Sequence, residues 1–179
     1  MQRLFVGIEL PDEARHALLK VRADYPGARW HPPEALHVTL SFIGMVDATT
    51  QAAMAQSLVG LPDPGVDLRI QGVGYFGTPD RPKVLWAGVE LSGGLWQLQQ
   101  EVEQRLLPLG LVAEQRPYRP HVTLARVKQG SGALQAFVQQ YADLSLAPFN
   151  VGHVSLYCSR GGSAGVDYQV IERFSLLKR

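Results

Sequence analysis

Two short segments of this chain carry residue types that can do chemistry. His37-Val38-Thr39-Leu40 and His121-Val122-Thr123-Leu124 are identical and stand 84 positions apart. In an extended strand successive side chains point to opposite faces, so each copy turns its His and Thr one way and its Val and Leu the other. Each copy therefore buries an aliphatic pair and offers an imidazole and a hydroxyl. Two such faces brought together give the groups that metal-free displacement at phosphorus requires. A neutral imidazole takes a proton from the nucleophile, an imidazolium gives one to the leaving oxygen, and hydroxyls hold the non-bridging oxygens. Histidine serves either role near neutral pH because its ordinary pKa is about 6.5.

Each of these residues has a plainer reading. A single strand histidine is as a rule structural, and Thr39 and Thr123 suit a strand simply by being β-branched. The duplicated register raises all four to site candidates. Metal ligation is the weaker alternative, since no HxxxH pair, cysteine pair or carboxylate cluster accompanies the histidines. His16, His31 and His153 lack a partner motif and read as structural. Five positions beyond each histidine stand Phe42 and Arg126, which strict alternation turns away from the histidine face. A bend near Gly44 or at the strand end would be needed to return them. Arg116, Arg119 and Lys128 surround the second motif as a solvated face or a screen for an incoming backbone. Trp30 and Tyr118 are either core edges or stacking platforms.

The elements that must position these groups repeat in order. The first half reads as a strand at Leu4 to Leu10, a helix from Pro11 to about Ala23, a strand at His37 to Ile43, a helix from Asp47, and a strand at Val66 to Val73. The second half reads as a strand at Lys83 to Leu91, a helix from Gly94 to Leu107, a strand at His121 to Val127, a helix from Leu134 to Tyr141 and a strand at Leu146 to Tyr157. Each lies about 80 to 84 positions after its counterpart, the mark of an internal duplication. A last strand spans Val166 to Phe174, after a flexible loop at Gly161-Gly162-Ser163-Ala164-Gly165. The expected fold is α+β, one domain over residues 1–179 of two intertwined similar lobes, roughly 1–80 and 81–179. Antiparallel sheets would line a central groove, with helices outside and the two motif strands side by side across a pseudo-twofold axis.

Composition narrows the classes. The chain has 179 residues, 46% of them apolar, enough to bury a core without disulfides or metals. Seventeen Lys and Arg against sixteen Asp and Glu leave a net charge of +1. That argues against broad electrostatic wrapping of duplex nucleic acid and leaves a short nucleotide end as a ligand. The single cysteine, Cys158, excludes an intramolecular disulfide. No apolar run reaches the length of a membrane span, and the strand-like LFVGIEL near the N-terminus lacks the features of a leader. The expectation is a soluble, cytoplasmic monomer with no cofactor, no metal and no membrane partner.

Beyond the two tetrapeptides, the segments ARWHPPEALHVTLSFIG, YRPHVTLAR and VSLYCSR are similar to those of the 2H phosphoesterase superfamily. The chain resembles, over essentially its whole length, the bacterial and archaeal RNA 2′,3′-cyclic phosphodiesterases, also called LigT-like 2′-5′ RNA ligases. The resemblance implies a bilobal antiparallel fold and metal-independent hydrolysis of RNA 2′,3′-cyclic phosphate to a 2′-phosphate end. It also implies His37 as general acid and His121 as general base, Thr39 and Thr123 on the phosphate, and a nucleobase held between Phe42 and Arg126. The near symmetry of the motifs leaves the two histidine roles open at the level of residues. Two alternatives stand beside this reading: a related enzyme acting on another small cyclic nucleotide phosphate, such as ADP-ribose 1″,2″-cyclic phosphate, and a non-catalytic RNA-end-binding module. Weak, reversible 2′-5′ ligation would accompany the hydrolysis.

Overall fold

The computed structural model describes residues 1–128, 132–162 and 165–178; Ser163 and Ala164 of the expected loop lie outside the described residues. Strand β1 (Gln2–Glu9) buries Leu4, Val6 and Ile8 on one face, as its alternation requires. Helix α1 (Asp12–Leu19) follows, with Asp12 and Glu13 beside the free N–H groups of its first turn. It stops short of the expected Ala23. Tyr141 donates its hydroxyl to the Lys20 and Arg22 carbonyls, and Pro26 disfavours helical backbone just before it.

A short strand that the sequence reading lacked, β2 (Ala28–Trp30), precedes β3 (His37–Val46). Asp47 caps α2 (Ala48–Leu58) by accepting the Thr50 N–H at 2.7 Å. The expected strand at Val66 to Val73 divides into β4 (Asp67–Leu68) and β5 (Ile70–Thr78), which forms a hairpin with β6 (Arg81–Val89). Ser92 caps α3 (Gly93–Leu106), followed by β7 (His121–Val127) and α4 (Leu134–Gln140). The expected strand at Leu146 to Tyr157 likewise divides, into β8 (Phe149–Asn150) and β9 (His153–Gly162), before β10 (Gly165–Ser175). Both divisions have one cause. The short strands β4 and β8 pair with each other, while β5 and β9 join the main sheet, so each segment changes partner and bends.

The main sheet is antiparallel, with the order β10-β9-β1-β3-β7-β6-β5 and β2 beside β7. The motif strands lie side by side, as expected, and strands of the two halves of the chain interleave in the sheet. The last strand of the first half, β5, pairs with β6, and β9 from the second half pairs with β1. One pair joins the two regions: Val38 faces Val122, both fully buried. They are equivalent under the 84-residue offset, so a local twofold axis passes between them. One continuous sheet thus carries both motif strands, beside the small β4–β8 sheet. Its aliphatic face, including Leu40, Leu85 and Leu124, forms a single core with Leu18, Met54, Leu58, Leu98, Val102 and Phe137 of helices α1 to α4. Fully burying each such side chain stabilises the fold by about 1.5–3 kcal/mol. The helices cover that face, and the imidazoles lie on the other.

Candidate active site

Strict alternation is broken at an equivalent place in each motif strand, and β3 has a further register shift between Phe42 and Gly44, where Gly44 has φ +90°. Gly7 faces Thr39 and Val6 faces Ser41, which leaves Leu40 without a partner. Trp86 faces Thr123 and Leu85 faces Ala125, which leaves Leu124. These are β-bulges, in which two residues of one strand oppose a single residue of its neighbour. Leu40 and Ser41 are both buried, as are Leu124 and Ala125, and the next residue in each strand returns to the histidine face. Phe42, 70% exposed, and the exposed Arg126 therefore join the histidines, contrary to the alternation argument. Phe5 documents the shared face: its ring centroid lies 4.7 Å from that of His37 and 5.9 Å from that of Phe42.

A bulge removes ladder hydrogen bonds, and here each unpaired carbonyl finds a distant donor. The buried Gln99 of α3 donates Nε2–H to the Leu40 carbonyl at 3.4 Å, and the His31 backbone N–H donates to the Leu124 carbonyl at 2.8 Å. The Tyr118 hydroxyl adds a bond to the Thr39 carbonyl at 2.9 Å. Gln99→Leu is expected to leave a buried carbonyl unpaired, at a cost of about 1–3 kcal/mol. Because the bulge aims Phe42, KM should rise about threefold or more while kcat stays within twofold. Steady-state kinetics showing lost kcat at unchanged KM would refute that link.

The two imidazoles are held alike. His37 donates Nδ1–H to the Ala35 carbonyl at 2.8 Å, and His121 donates Nδ1–H to the Arg119 carbonyl at 2.7 Å. A carbonyl only accepts, so the proton sits on Nδ1 and Nε2 is left for chemistry. In the neutral form, His37 Nε2 accepts from the Thr39 hydroxyl at 3.0 Å. Aromatic rings wall both: Phe5, Tyr157 at 5.3 Å and Tyr168 at 5.0 Å around His37, Phe76 at 4.8 Å and Trp86 at 6.3 Å around His121. Gly7 lets β1 and β3 approach closely beside the first ring, since a Cβ there would stand 2.8 Å from the Val38 carbonyl oxygen. Continuing the Val38–Val122 register by one residue each way sets His37 opposite Thr123 and Thr39 opposite His121.

Burial sets the charge. It pushes His37 down to about 4, against the Ala35 hydrogen bond and with small help from His31 and His121. His121 is also lowered, chiefly by burial and further by the Arg119 and Arg126 charges. Both imidazoles are neutral at pH 7 in the free protein. Glu9, which faces His37 across the β1–β3 ladder, is held near about 2 by Arg173 and keeps its charge.

His31 is a group whose surroundings the sequence did not disclose. It is 3% exposed, its ring lies edge-on to Tyr168 at 6.1 Å, and neither ring nitrogen has a hydrogen-bond partner among the described residues. Burial, with the Arg126 charge, pushes its pKa down from 6.5 to about 4. The unfolded chain therefore binds this proton first, and stability present above pH 6.5 is lost as pH falls towards 4. His31→Leu should remove up to about 3 kcal/mol of that acid loss and be no less stable at pH 7. Urea unfolding at pH 4.5 and 7 reads both, and an unchanged pH dependence would contradict the assignment.

The remaining expectations divide. His37, Thr39, Phe42, His121, Thr123 and Arg126 share one face of the sheet. Trp30 packs on the core, 6.0 Å from Phe137, and Tyr118 on the core and the Thr39 carbonyl, so both are structural. Arg116 is engaged by Glu114 through two bonds of 2.8 and 3.0 Å rather than standing free. His153 bonds Glu9 at 3.3 Å. Among the described residues no cluster of three or more His, Cys, Asp or Glu side chains is placed to hold a metal. No described helix is long and apolar enough to cross a membrane. The aromatic walls from Phe5, Phe76 and Trp86 were not legible in the sequence, whose only hint was the alternation of Phe5 and Trp86 with aliphatic neighbours.

An antiparallel sheet with a local twofold axis, presenting a histidine and a threonine from each motif on one face, defines a bilobal two-histidine protein. The chain belongs to the 2′-5′ RNA ligase superfamily, whose family model matches residues 10–163. It is 28% identical over 179 residues to an RNA 2′,3′-cyclic phosphodiesterase of Geobacillus stearothermophilus, covering 97% of this chain and 57% of that relative, so it spans little over half of that protein's length. The RNA 2′,3′-cyclic phosphodiesterase of Methanocaldococcus jannaschii is 27% identical over 176 residues, covering 96% and 99% of the two chains. Among solved structures, a protein of Thermus thermophilus superposes with a TM-score of 0.81 at 27% identity, covering 97% of each chain. Escherichia coli LigT complexed with 3′-AMP gives 0.76 at 26% identity, covering 98% of each.

Proposed function

We propose that this chain hydrolyses the 2′,3′-cyclic phosphate at RNA 3′ ends and leaves a 2′-phosphate. One observation carries the reading: two imidazoles, each with Nδ1 tied to the carbonyl two residues earlier, leave Nε2 for proton transfer on a face that also holds two threonine hydroxyls, one of them bonded to His37 Nε2. The relatives named above bear the same activity in their names. Water attacks phosphorus opposite O3′. His121 Nε2 takes the water proton as the new P–O bond forms, and His37 Nε2–H protonates O3′ as that bond breaks. Thr39 and Thr123 hold the non-bridging oxygens, and the base lies between Phe42 and Arg126, a stack that tolerates any base.

Since His37 is neutral in the free protein, it gains its proton together with the anionic substrate, whose charge raises the depressed pKa. Its deeper burial favours the exchanged roles, with His37 as base, and the leaving-group experiment in the Discussion separates the two. By microscopic reversibility an RNA 5′-hydroxyl in place of water would form a 2′-5′ linkage weakly. No step calls for a metal, and the proposed enzyme works as a cytoplasmic monomer. A panel of cyclic phosphates assayed in EDTA tests the reading. Turnover of RNA-type 2′,3′-cyclic ends supports it. Turnover of ADP-ribose 1″,2″-cyclic phosphate alone assigns a different small substrate, and binding without turnover leaves an RNA-end-binding module.

A further inference from the structure

Past Phe42, at the end of the sheet, lies a concavity of about 450 Å³, lined by Arg3, Met45 and Ser159 of the histidine face and, around the sheet end, by Gln2, Cys158 and Arg160 among others. Strand register places it. Along β1, Glu9 faces His37, Gly7 faces Thr39, Phe5 faces Phe42 and Arg3 faces Met45, so phosphate groups, base platform and concavity follow one another in a line. Arg3 also faces Ser159 of β9. Arg3, Met45 and Ser159 share the face of Phe5, because β1 alternates and Leu4 points into the core. The volume falls within the range of about 300–1,000 Å³ usual for small-ligand sites.

Its chemistry is cationic and apolar together. Arg3 is exposed and among the described residues lies in no ion pair, whereas Arg160, next to Ser159 in β9, alternates onto the opposite face. Met45 is 51% exposed and offers a polarizable thioether. A guanidinium beside an adaptable apolar surface suits a phosphodiester with its attached base. A ribose whose 2′ and 3′ oxygens are closed in a cyclic phosphate has one remaining connection to an RNA strand, its 5′ oxygen. Arg3 lies two residues, about 7 Å, beyond Phe5 along the strand.

We propose that this concavity is a subsite for the nucleotide on the 5′ side of the cyclic end, with Arg3 on the linking phosphodiester and Met45 against the upstream base. The inference rests on the function proposed above and narrows its substrate to oligoribonucleotides. Two substrates test it: adenosine 2′,3′-cyclic phosphate, and the adenylyl-adenosine dinucleotide carrying the same cyclic end. The dinucleotide should be favoured about tenfold in kcat/KM, mainly through KM. Arg3→Ala should abolish most of that preference while mononucleotide turnover stays within twofold. The slope of log kcat/KM against log salt for the dinucleotide should become shallower by about 0.7, the share of one phosphate contact on a single strand. Met45→Glu, which puts an anion in the subsite, should penalise the dinucleotide alone. Equal kcat/KM for both substrates in the parent protein, or an equal loss on both in Arg3→Ala, overturns the subsite and leaves the phosphodiesterase reading intact. Turnover of neither overturns that reading and the subsite with it.

Discussion

Alanine at either His37 or His121 is expected to lower turnover by about two to four orders of magnitude, the loss usual for a positioned acid or base. Both variants should fold, because the sheet core lies on the opposite face and is carried by residues such as Val38 and Val122. Activity within threefold of the parent in either folded variant would end the two-histidine mechanism. Each imidazole serves one end of the in-line displacement, so a leaving group that needs little protonation separates them. With such a substrate the His37→Ala defect should shrink strongly while the His121→Ala defect persists. The reverse pattern exchanges the roles, and rescue of neither rejects acid-base catalysis by this pair. Burial also fixes the sign of the pH dependence. Since His37 is pushed to about 4 and His121 below the ordinary 6.5, the bell-shaped kcat/KM profile of the free enzyme should centre on the acid side of pH 6.5. The kcat profile should lie higher, because the bound phosphate raises both groups. A kcat/KM plateau beyond pH 8 would contradict this account.

The joint replacement of Thr39 and Thr123 by alanine should be the next most damaging change. Each hydroxyl gives the phosphate one hydrogen bond to a charged partner, worth about 1.5–3 kcal/mol, or about 10- to 150-fold per residue. The double variant is expected to lose a hundredfold or more. The two should not be equal. The Thr39 hydroxyl also lies 3.0 Å from His37 Nε2, so its loss should shift the limb of the pH profile that His37 governs. Thr39→Ser, which keeps the hydroxyl, should recover most of the activity. Full activity in the double alanine variant would remove both threonines from the site.

Much of this site was legible as sequence. Alternation along a strand is a local steric rule, so the identity of residues 37–40 and 121–124 by itself determined which side chains share a face. The same locality placed the helices, whose caps at Asp47 and Ser92 lie within three residues of their partners Thr50 and Leu95. Local rules, however, do not see the neighbouring strand. The bulges at Leu40 and Leu124 exist because β1 and β6 impose their own register, and because Gln99, 59 residues from Leu40, and His31 supply the donors that the bulged carbonyls need. Those two bulges lie between the histidines and Phe42 and Arg126 and bring both to the histidine face, while the expected irregularity at Gly44 comes one step later in the strand. The exchange of β5 and β9 between the two halves of the sheet belongs to the same class, as do the ring walls around each imidazole and the buried His31 nitrogens, which have no partner among the described residues. Each depends on contacts between segments far apart in the chain, whose pairing follows from how the whole apolar surface is buried at once and not from the residues on either side.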